Sequence, residues 1–245
     1  MKILVVGSSH TAAISKAVDG AGDIDALWVK NPKREDAPGD ITLDQAIEAV
    51  KALEPSDTLA LTWIGTYHNI FGLVQHERPF DFFEPDSDEF DETRELIPYA
   101  LIRDQFSATI RSDSFTRKLS QATKAKVALL STPPVKGNNE FIHSKMKNYR
   151  GHDVAAAGVT PARIRAKLWR LEMSCIEAYC KDIGAEFISA QEESLTADGY
   201  LRPELYGSDA THANAAYGAM VVDQLISLEP APHSPQKHVL AIASC

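Results

Sequence analysis

The sequence predicts an α/β fold in which a five-stranded parallel sheet lies between two layers of helices. Five short apolar runs recur along the 245 residues. Their apolarity is continuous instead of alternating, which is typical of strands that are buried on both faces. Helical patterns separate the runs, and the alternation of strands and helices favours a parallel sheet covered on both sides. We therefore expect a three-layer α/β/α sandwich.

The predicted strands share a simple pattern of large or β-branched apolar residues followed by Gly, Ser, Thr, Asn or Pro, which are typical of turns. They are KILVVG (2–7), IDALWV (24–29), TLALTWIG (58–65), KVALLS (126–131) and EFISA (186–190). In an open parallel sheet, ligands bind outside the carboxyl ends of the strands. Residues that follow these runs are therefore the first candidates for a functional site.

The predicted helices are recognised by apolar spacing and by their end signals. They cover 8–21, 42–55, 92–124, 160–184 and 214–229. Ser8 or Ser9 is a candidate cap of the first helix, and Thr42 and Thr160 are candidate caps of two others. Pro98 would lie near a first helical turn within 92–124, and Gly184 would end the long helix.

Composition excludes several classes of protein. The formal net charge of -9 disfavours nucleic acids or anionic membranes as partners. No apolar run approaches the roughly 20 residues that span a bilayer, and the N-terminal run predicts a strand and not a signal peptide. The cysteines (Cys175, Cys180 and Cys245) lack metal-binding spacing. We therefore expect a cytoplasmic protein without a metal or other cofactor.

We expect one domain over residues 1–230, with a peripheral tail over 231–245. Two insertions, at about 76–93 and 133–158, interrupt the regular pattern. The first is rich in carboxylates and aromatics, and the second is polar and basic. Both follow strands, so both should overhang the carboxyl edge, either as solvated loops or as lids of opposite charge. The basic residues Lys136, Lys145, Lys147 and Arg150 are expected to be solvated, unless some bind a substrate anion.

Ser8 and Ser9 lie where the first strand turns into a helix. A serine there would expose its hydroxyl at the sheet edge, near the backbone N–H groups of the new helix. The alternative is that either serine only caps the helix. No glycine-rich dinucleotide or phosphate motif is present. The adjacent His10 is expected to pack or cap.

Asp209 and His212 lie three residues apart in a turn before the last helix. A serine nucleophile needs a base, and a carboxylate holds that base in the required tautomer. The spacing lets both side chains come from one short turn. The alternative is a helix cap with a surface histidine. In combination with a serine after the first strand, this pair favours a Ser9, His212 and Asp209 triad.

These motifs resemble those of the SGNH hydrolases, also called the GDSL esterase/lipase superfamily. VGSSHT (6–11) resembles the family's Gly-Asp-Ser block, with Ser8 in place of the aspartate and Ser9 in the nucleophile position. SDATHANAAYG (208–218) resembles the terminal Asp-x-x-His block. The resemblance implies a flavodoxin-like sandwich and hydrolysis of an ester.

The oxyanion hole is less well defined by sequence. The family's third block, Gly-x-Asn-Asp, corresponds to WIGTYHNIFG (63–72). Strict alignment on Gly65 puts Tyr67 in the asparagine position, and a shift of one residue puts Thr66 there. Asn69, His68 and Thr66 are therefore competing donors, with Asn69 preferred. The alternative for His68 and Asn69 is a turn with satisfied polar groups.

The sequence therefore predicts a serine esterase that acts on a small-molecule or glycan ester with a short acyl group. An acyltransferase that uses the same triad, and a non-catalytic binding module that keeps the fold, are the alternatives. The sequence does not indicate an oligomeric state.

Overall fold

The computed structural model describes residues 1–18, 22–31 and 37–227. The predicted tail over 231–245 lies outside the described residues. Within the described ranges, no helix combines the length and the apolarity that crossing a bilayer requires. All secondary structure below refers to this part of the chain.

The strands form one central sheet and two small accessory sheets. The strands of the central sheet and of the accessory sheets are, in chain order, β1 (Ile3–Gly7), β2 (Ile24–Trp28), β3 (Thr58–Thr62), β4 (Phe80–Asp81), β5 (Glu95–Leu96), β6 (Lys126–Leu130), β7 (Asn148–Tyr149), β8 (His152–Asp153) and β9 (Glu186–Ile188). All five predicted strands are present, with slightly shorter bounds.

The helices lie between the strands of the central sheet. They are α1 (Thr11–Ser15), α2 (Leu43–Lys51), α3 (Tyr67–Gly72), α4 (Tyr99–Arg111), α5 (Ser114–Ala122), α6 (Asn139–Lys145), α7 (Val154–Ala157), α8 (Ala162–Ile183) and α9 (Ala215–Ser227). Short 3-10 turns occupy Glu192–Ser194 and Pro203–Leu205.

The central sheet has the strand order β2-β1-β3-β6-β9, and every neighbouring pair is parallel. This is the doubly wound order of flavodoxin-like folds, so the predicted fold class is confirmed. Gly7 at the end of β1 lies opposite both Trp28 and Thr62. The carboxyl ends of three strands are therefore level, and the loops that follow them meet at one edge.

Both faces of the sheet are covered, which explains the continuous apolar runs. Leu4 and Val6 of β1 pack into a cluster with residues of α2, α4, α5 and α8. Ile3 and Val5 point to the other face and pack with residues of α1 and α9. Because side chains alternate along a strand, each central strand contributes to both clusters.

The acidic insertion is anchored to α8 through a few of its residues, while most of the others are exposed as a solvated loop would be. Asp81 is fully buried and accepts hydrogen bonds of 2.8 Å from Arg163 and 3.2 Å from Lys167. Arg163 also donates to Asp91 at 2.8 Å. Arg170 continues the series with a 2.8 Å bond to Glu84. Residues 163, 167 and 170 share one face of a helix, so the basic side of α8 fixes the acidic segment.

Several predicted helix ends differ in the structure. Neither Ser8 nor Ser9 caps α1: its N-cap is His10, whose side chain makes no capping bond to the described residues. The segment 92–124 contains two helices, because Asp113 interrupts it and caps α5 by accepting from Thr116 at 2.7 Å. Thr42 caps α2 as predicted, in a reciprocal capping box with Gln45.

The long helix starts two residues after its predicted cap. α8 begins at Ala162 with Pro161 as its N-cap, while Thr160 lies outside the helix. Gly184 ends this helix as predicted.

Candidate active site

The turn that carries Ser9 is pressed against the end of β3. Thr11, the first residue of α1, shares a 2.6 Å hydroxyl–hydroxyl hydrogen bond with Thr62, and both residues are buried. A Cβ atom on Gly7 would lie 1.9 Å from the Thr62 hydroxyl oxygen. Only glycine leaves room for this contact, so Gly7 and the two threonines fix the direction in which the chain leaves β1.

Asp209 and His212 form a compact turn before α9. One carboxylate oxygen of Asp209 accepts from the backbone N–H groups of Thr211 and His212, both at 2.8 Å. The other lies 2.7 Å from Nδ1 of His212. Burial alone would raise the pKa of Asp209, but the hydrogen bonds from the His212 side chain and from both backbone N–H groups outweigh it and hold the pKa well below its usual range. Asp209 is therefore a carboxylate at neutral pH.

The structure brings Ser9 to this pair across 203 residues of sequence. Nε2 of His212 lies 2.8 Å from Oγ of Ser9. A carboxylate at Nδ1 favours the tautomer with its proton on Nδ1, so Nε2 is left as an acceptor for the Ser9 hydroxyl. All three residues predicted as a triad thus lie in one hydrogen-bonded chain.

Ser9 and His212 are held close to each other because the helices that follow them, α1 and α9, pack closely together. A Cβ atom on Gly218 of α9 would lie 2.1 Å from the carbonyl oxygen of Ala13 in α1. Ile14 of α1 and Tyr217 of α9 belong to the same buried cluster. The backbone of the helix after His212 therefore touches the backbone of the helix after Ser9.

Lys136 is a site residue that the sequence analysis placed wrongly in solvent. It is only 2% exposed. Its ammonium donates to the carbonyl oxygens of Asp209 at 2.6 Å and Gly207 at 3.2 Å, and it lies 4.8 Å and 4.9 Å from the ring centroids of Phe141 and Tyr206. Burial lowers the pKa of Lys136 to about 8, against the opposing charge of Asp209. Its position after β6, at the functional edge, was the available signal.

The candidate oxyanion residues lie in different surroundings. Thr66 lines a cavity together with Ser9. Gly65 is buried, and its carbonyl oxygen accepts a 2.9 Å bond from Thr132. Asn69 is buried in α3 and is not among the described residues that line the two cavities at Ser9. Thr66 therefore lines a cavity together with Ser9, whereas the preferred Asn69 lines neither of the two cavities at Ser9.

A buried carboxylate side chain from α8 stabilises the turn after β3 through hydrogen bonds. Glu172 of α8 accepts from the backbone N–H groups of Tyr67 at 2.9 Å and His68 at 2.8 Å, and it lies 2.7 Å from Nδ1 of His68. The amides of Tyr67 and His68 are thus already used. Among the described residues, the amides of Ser9 and Thr66 donate no hydrogen bond, so both are available to an oxyanion.

Ser9 lies between two cavities. One, of about 410 Å³, is named the polar cavity after its titratable lining residues His10, Lys16, Asp209 and His212. The other, of about 460 Å³, is named the aromatic cavity, because Trp63 and Phe115 line it with their ring centroids 4.9 Å apart. Ser9 therefore has room on two sides, one next to His212 and the other next to Trp63 and Phe115.

The insertions contribute unequally to these cavities. Among described residues, none of 76–93 lines either cavity at Ser9, whereas Pro133 of the second insertion lines the polar one. The two insertions instead meet at a separate cleft of about 870 Å³, lined by parts of 74–78 and 149–157. The described residues of the two insertions therefore shape a cleft of their own, and not a pocket at Ser9.

The chain is similar to several solved structures at low sequence identity. No protein-family model and no curated protein matches it. A GDSL-like lipase from Bacteroides thetaiotaomicron is 16% identical, with a TM-score of 0.47 over 92% of this chain and 85% of that one. A carbohydrate acetylesterase from Sinorhizobium meliloti is 12% identical, with a TM-score of 0.41 over 94% of this chain and 100% of that one.

A third similar structure is the periplasmic domain of a lipopolysaccharide acetyltransferase from Salmonella ser. Paratyphi A. It is 16% identical, with a TM-score of 0.45 over 92% of this chain and 82% of that one. The description of the Bacteroides thetaiotaomicron structure contains the term GDSL.

Proposed function

We propose that the chain is a serine esterase of the SGNH type, with Ser9 as nucleophile, His212 as general base and Asp209 as its orienting carboxylate. The observation that carries the proposal is the continuous hydrogen-bonded chain from Ser9 through His212 to Asp209, with distances of 2.8 Å and 2.7 Å. Both distances are within the reach that proton transfer requires. The low pKa of Asp209 supports its role, because a carboxylate stabilises the imidazolium that forms on His212.

In the proposed reaction, His212 removes the proton of the Ser9 hydroxyl while the oxygen attacks the ester carbonyl carbon. The resulting tetrahedral oxyanion is stabilised by the backbone N–H groups of Ser9 and Thr66. His212 then protonates the leaving alcohol, and the C–O bond of the ester breaks to leave an acyl group on Ser9. Water, activated by the same histidine, attacks the acyl-enzyme. The carboxylic acid is released, and the Ser9 hydroxyl is regenerated.

The assignment of the oxyanion donors rests on what the other amides already do. The backbone N–H groups of Tyr67 and His68 donate to Glu172. Thr66, the residue before them, lines a cavity at Ser9, and its N–H group donates no hydrogen bond to the described residues. Donors placed before the reaction cost no reorganisation in the transition state, and the loss of one donor costs about a hundred- to a thousandfold in turnover.

Covalent labelling tests the nucleophile directly. Purified protein is treated with a fluorophosphonate, and the modified residue is mapped by mass spectrometry. We expect modification of Ser9 and not of the adjacent Ser8. Ser9→Ala should abolish both the labelling and the hydrolysis of p-nitrophenyl acetate.

The matched control is Ser15→Ala, which removes a hydroxyl from α1, the helix that follows Ser9, outside both cavities, and it should keep both properties. Circular dichroism and thermal unfolding check that Ser9→Ala is folded. Undiminished hydrolysis in a folded Ser9→Ala variant would contradict the proposal, and absence of labelling in the wild type would favour a non-catalytic binding module.

A further inference from the structure

His10 is a polar residue at the candidate site that the proposed mechanism does not use. It directly follows Ser9, and its ring centroid lies 4.9 Å from that of His212, with the ring planes tilted by 51°. The residue is partly exposed and lines the polar cavity beside Ser9. His10 is therefore in reach of a molecule that reacts with Ser9.

The ring of His10 has unused hydrogen-bonding capacity. Its Nδ1 atom is buried without a partner, and Nε2 likewise makes no hydrogen bond to the described residues. Burial, followed by the charges of His212 and His68, lowers the pKa of His10 to about 3, although Asp209 opposes this. His10 is therefore a neutral imidazole at neutral pH.

The buried nitrogen decides which tautomer is favoured. Orphaned buried N–H groups are rarer in proteins than under-satisfied acceptors. The proton of His10 is therefore better placed on Nε2, which leaves Nδ1 as the buried lone pair. In this tautomer the ring has one N–H group, and that group has no partner among the described residues.

Most other polar side chains of this cavity are already committed. Ser9, Asp209 and His212 belong to the triad. Asn214 uses its amide to donate to the carbonyl of Glu204 and to accept from the amides of Ala216 and Tyr217. Among the described residues that line the cavity, His10, Lys16, Trp28 and Ser208 remain as side chains that could bind a ligand.

The chemistry of the proposed reaction determines which part of an ester enters this cavity. The leaving oxygen must lie within hydrogen-bonding distance of His212, since it receives its proton from Nε2. The alcohol part of the ester therefore lies on the His212 side of Ser9, which is the side of His10. The aromatic cavity on the Thr66 side remains for the acyl group.

We propose that His10 is a substrate-binding residue that donates from Nε2 to an oxygen on the alcohol part of the ester, so that esters of polyhydroxy alcohols are preferred. This inference rests on the proposed function. His10 contributes binding and orientation to this selectivity, and His212 remains the base.

A pair of esters that differ only in hydroxyl groups tests the inference. 1-Acetylglycerol and propyl acetate have the same acyl group and the same three-carbon alcohol chain. We expect the wild type to have a higher kcat/KM for 1-acetylglycerol. His10→Phe keeps a ring against His212 but removes the donor, and it should lower the ratio of the two kcat/KM values about fivefold, the typical value of one neutral hydrogen bond. Its kcat/KM for propyl acetate should stay within about twofold of the wild type.

Two further variants make the test specific. His10→Gln restores a donor at a similar distance and should recover most of the selectivity. Lys16→Met removes the ammonium group that lines the same cavity and should leave the ratio unchanged. An equal loss on both esters in folded His10→Phe would identify a positioning role for the ring and overturn the proposal. A wild type without selectivity, or a fall in the ratio only in Lys16→Met, would overturn it as well.

Failure of the proposed function is recognised separately. In that case the wild type hydrolyses neither ester and Ser9 is not labelled by fluorophosphonate. Labelling of Ser9 together with an unchanged ratio in His10→Phe would overturn only the inference on His10.

Discussion

The ammonium of Lys136 donates a 2.6 Å hydrogen bond to the backbone carbonyl of Asp209. The contact joins the segment after β6 to the turn that carries two of the three triad residues. Because the lysine holds the backbone of Asp209, the carboxylate remains free to bind His212. The proposed catalytic turn is thus positioned by a buried cation that does not touch the reacting atoms.

Lys136→Met should destabilise the protein and lower activity. The carbonyls of Gly207 and Asp209 lose their donor, and a buried unsatisfied acceptor costs about 1–3 kcal/mol. We expect a reduction of that size in the free energy of unfolding in urea, with a lower kcat at an almost unchanged KM. The control is Lys145→Met, since Lys145 is exposed and also lies near Phe141. Equal effects of the two variants would show that Lys136 does not support the turn.

Asp209→Asn should abolish the proposed esterase activity while leaving Ser9 in place. An amide at this position does not hold His212 in the required tautomer, and the corresponding change in a serine protease lowers kcat about 10⁴-fold. We expect a loss of this order in p-nitrophenyl acetate hydrolysis under saturating substrate. Asp223→Asn, on the exposed side of α9, is the control and should retain full activity. A loss of less than tenfold in Asp209→Asn would remove Asp209 from the triad.

Lys167→Met should destabilise the fold without changing the kinetics of the folded enzyme. Removing one partner of a buried ion pair leaves an uncompensated charge and costs about 3–5 kcal/mol. Arg163 still binds Asp81, so we expect a value near the lower end in urea unfolding. Because the described residues of 76–93 do not line the cavities at Ser9, kcat/KM of the folded fraction should be unchanged.

Arg170→Met is the control for Lys167→Met, because it breaks an ion pair that is exposed and not buried. The Arg170 side chain is 46% exposed in its ion pair with Glu84, and exposed pairs are worth less than about 1 kcal/mol. A destabilisation as large as that of Lys167→Met would indicate that burial is not what distinguishes the two contacts.

Asp91 should contribute to the acid sensitivity of the protein. Hydrogen bonds from the hydroxyl and the backbone N–H of Thr93, with those from Arg94 and Arg163, lower the pKa of Asp91 to about 2. In the unfolded chain the value is about 3.9. The stabilisation is therefore complete above about pH 4 and is lost as pH falls towards 2.

We expect Asp91→Asn to lack this part of the pH dependence. The measurement is urea unfolding of the wild type and the variant between pH 2 and 6. The difference in stability between them should be constant above about pH 4 and should shrink below it. A difference that does not change with pH would contradict the lowered pKa.

The sequence was sufficient to predict the sheet and the grouping of Ser9, Asp209 and His212, because both depend on local patterns. The strand Ile3–Gly7 is apolar at every position before its glycine since both faces of the sheet are covered. Asp209 and His212 lie within a single turn, so their spacing in the sequence was enough to predict that the two side chains interact. Ser9 was identified by its place after β1 and by its resemblance to a known motif.

Contacts between distant segments were not predictable in the same way. Lys136 is buried because Phe141, Tyr206 and two carbonyls surround it, and its position after β6 indicated the functional edge but not this burial. Asp81 is likewise indistinguishable in sequence from the exposed acids around it, and its burial follows from α8, about 80 residues later. Thr66 became the favoured oxyanion donor only when Glu172 was seen to occupy the next two amides.

Ser9 and His212 lie 203 positions apart in the sequence, which has a consequence for synthesis. The ribosome delivers Ser9 before the other four strands of the central sheet, and His212 only after all five have been made. Until α9 has left the exit tunnel and packed on α1, the serine has no proton acceptor. The nascent chain should therefore remain chemically silent towards cellular esters, and activity should begin only when folding of the domain is complete.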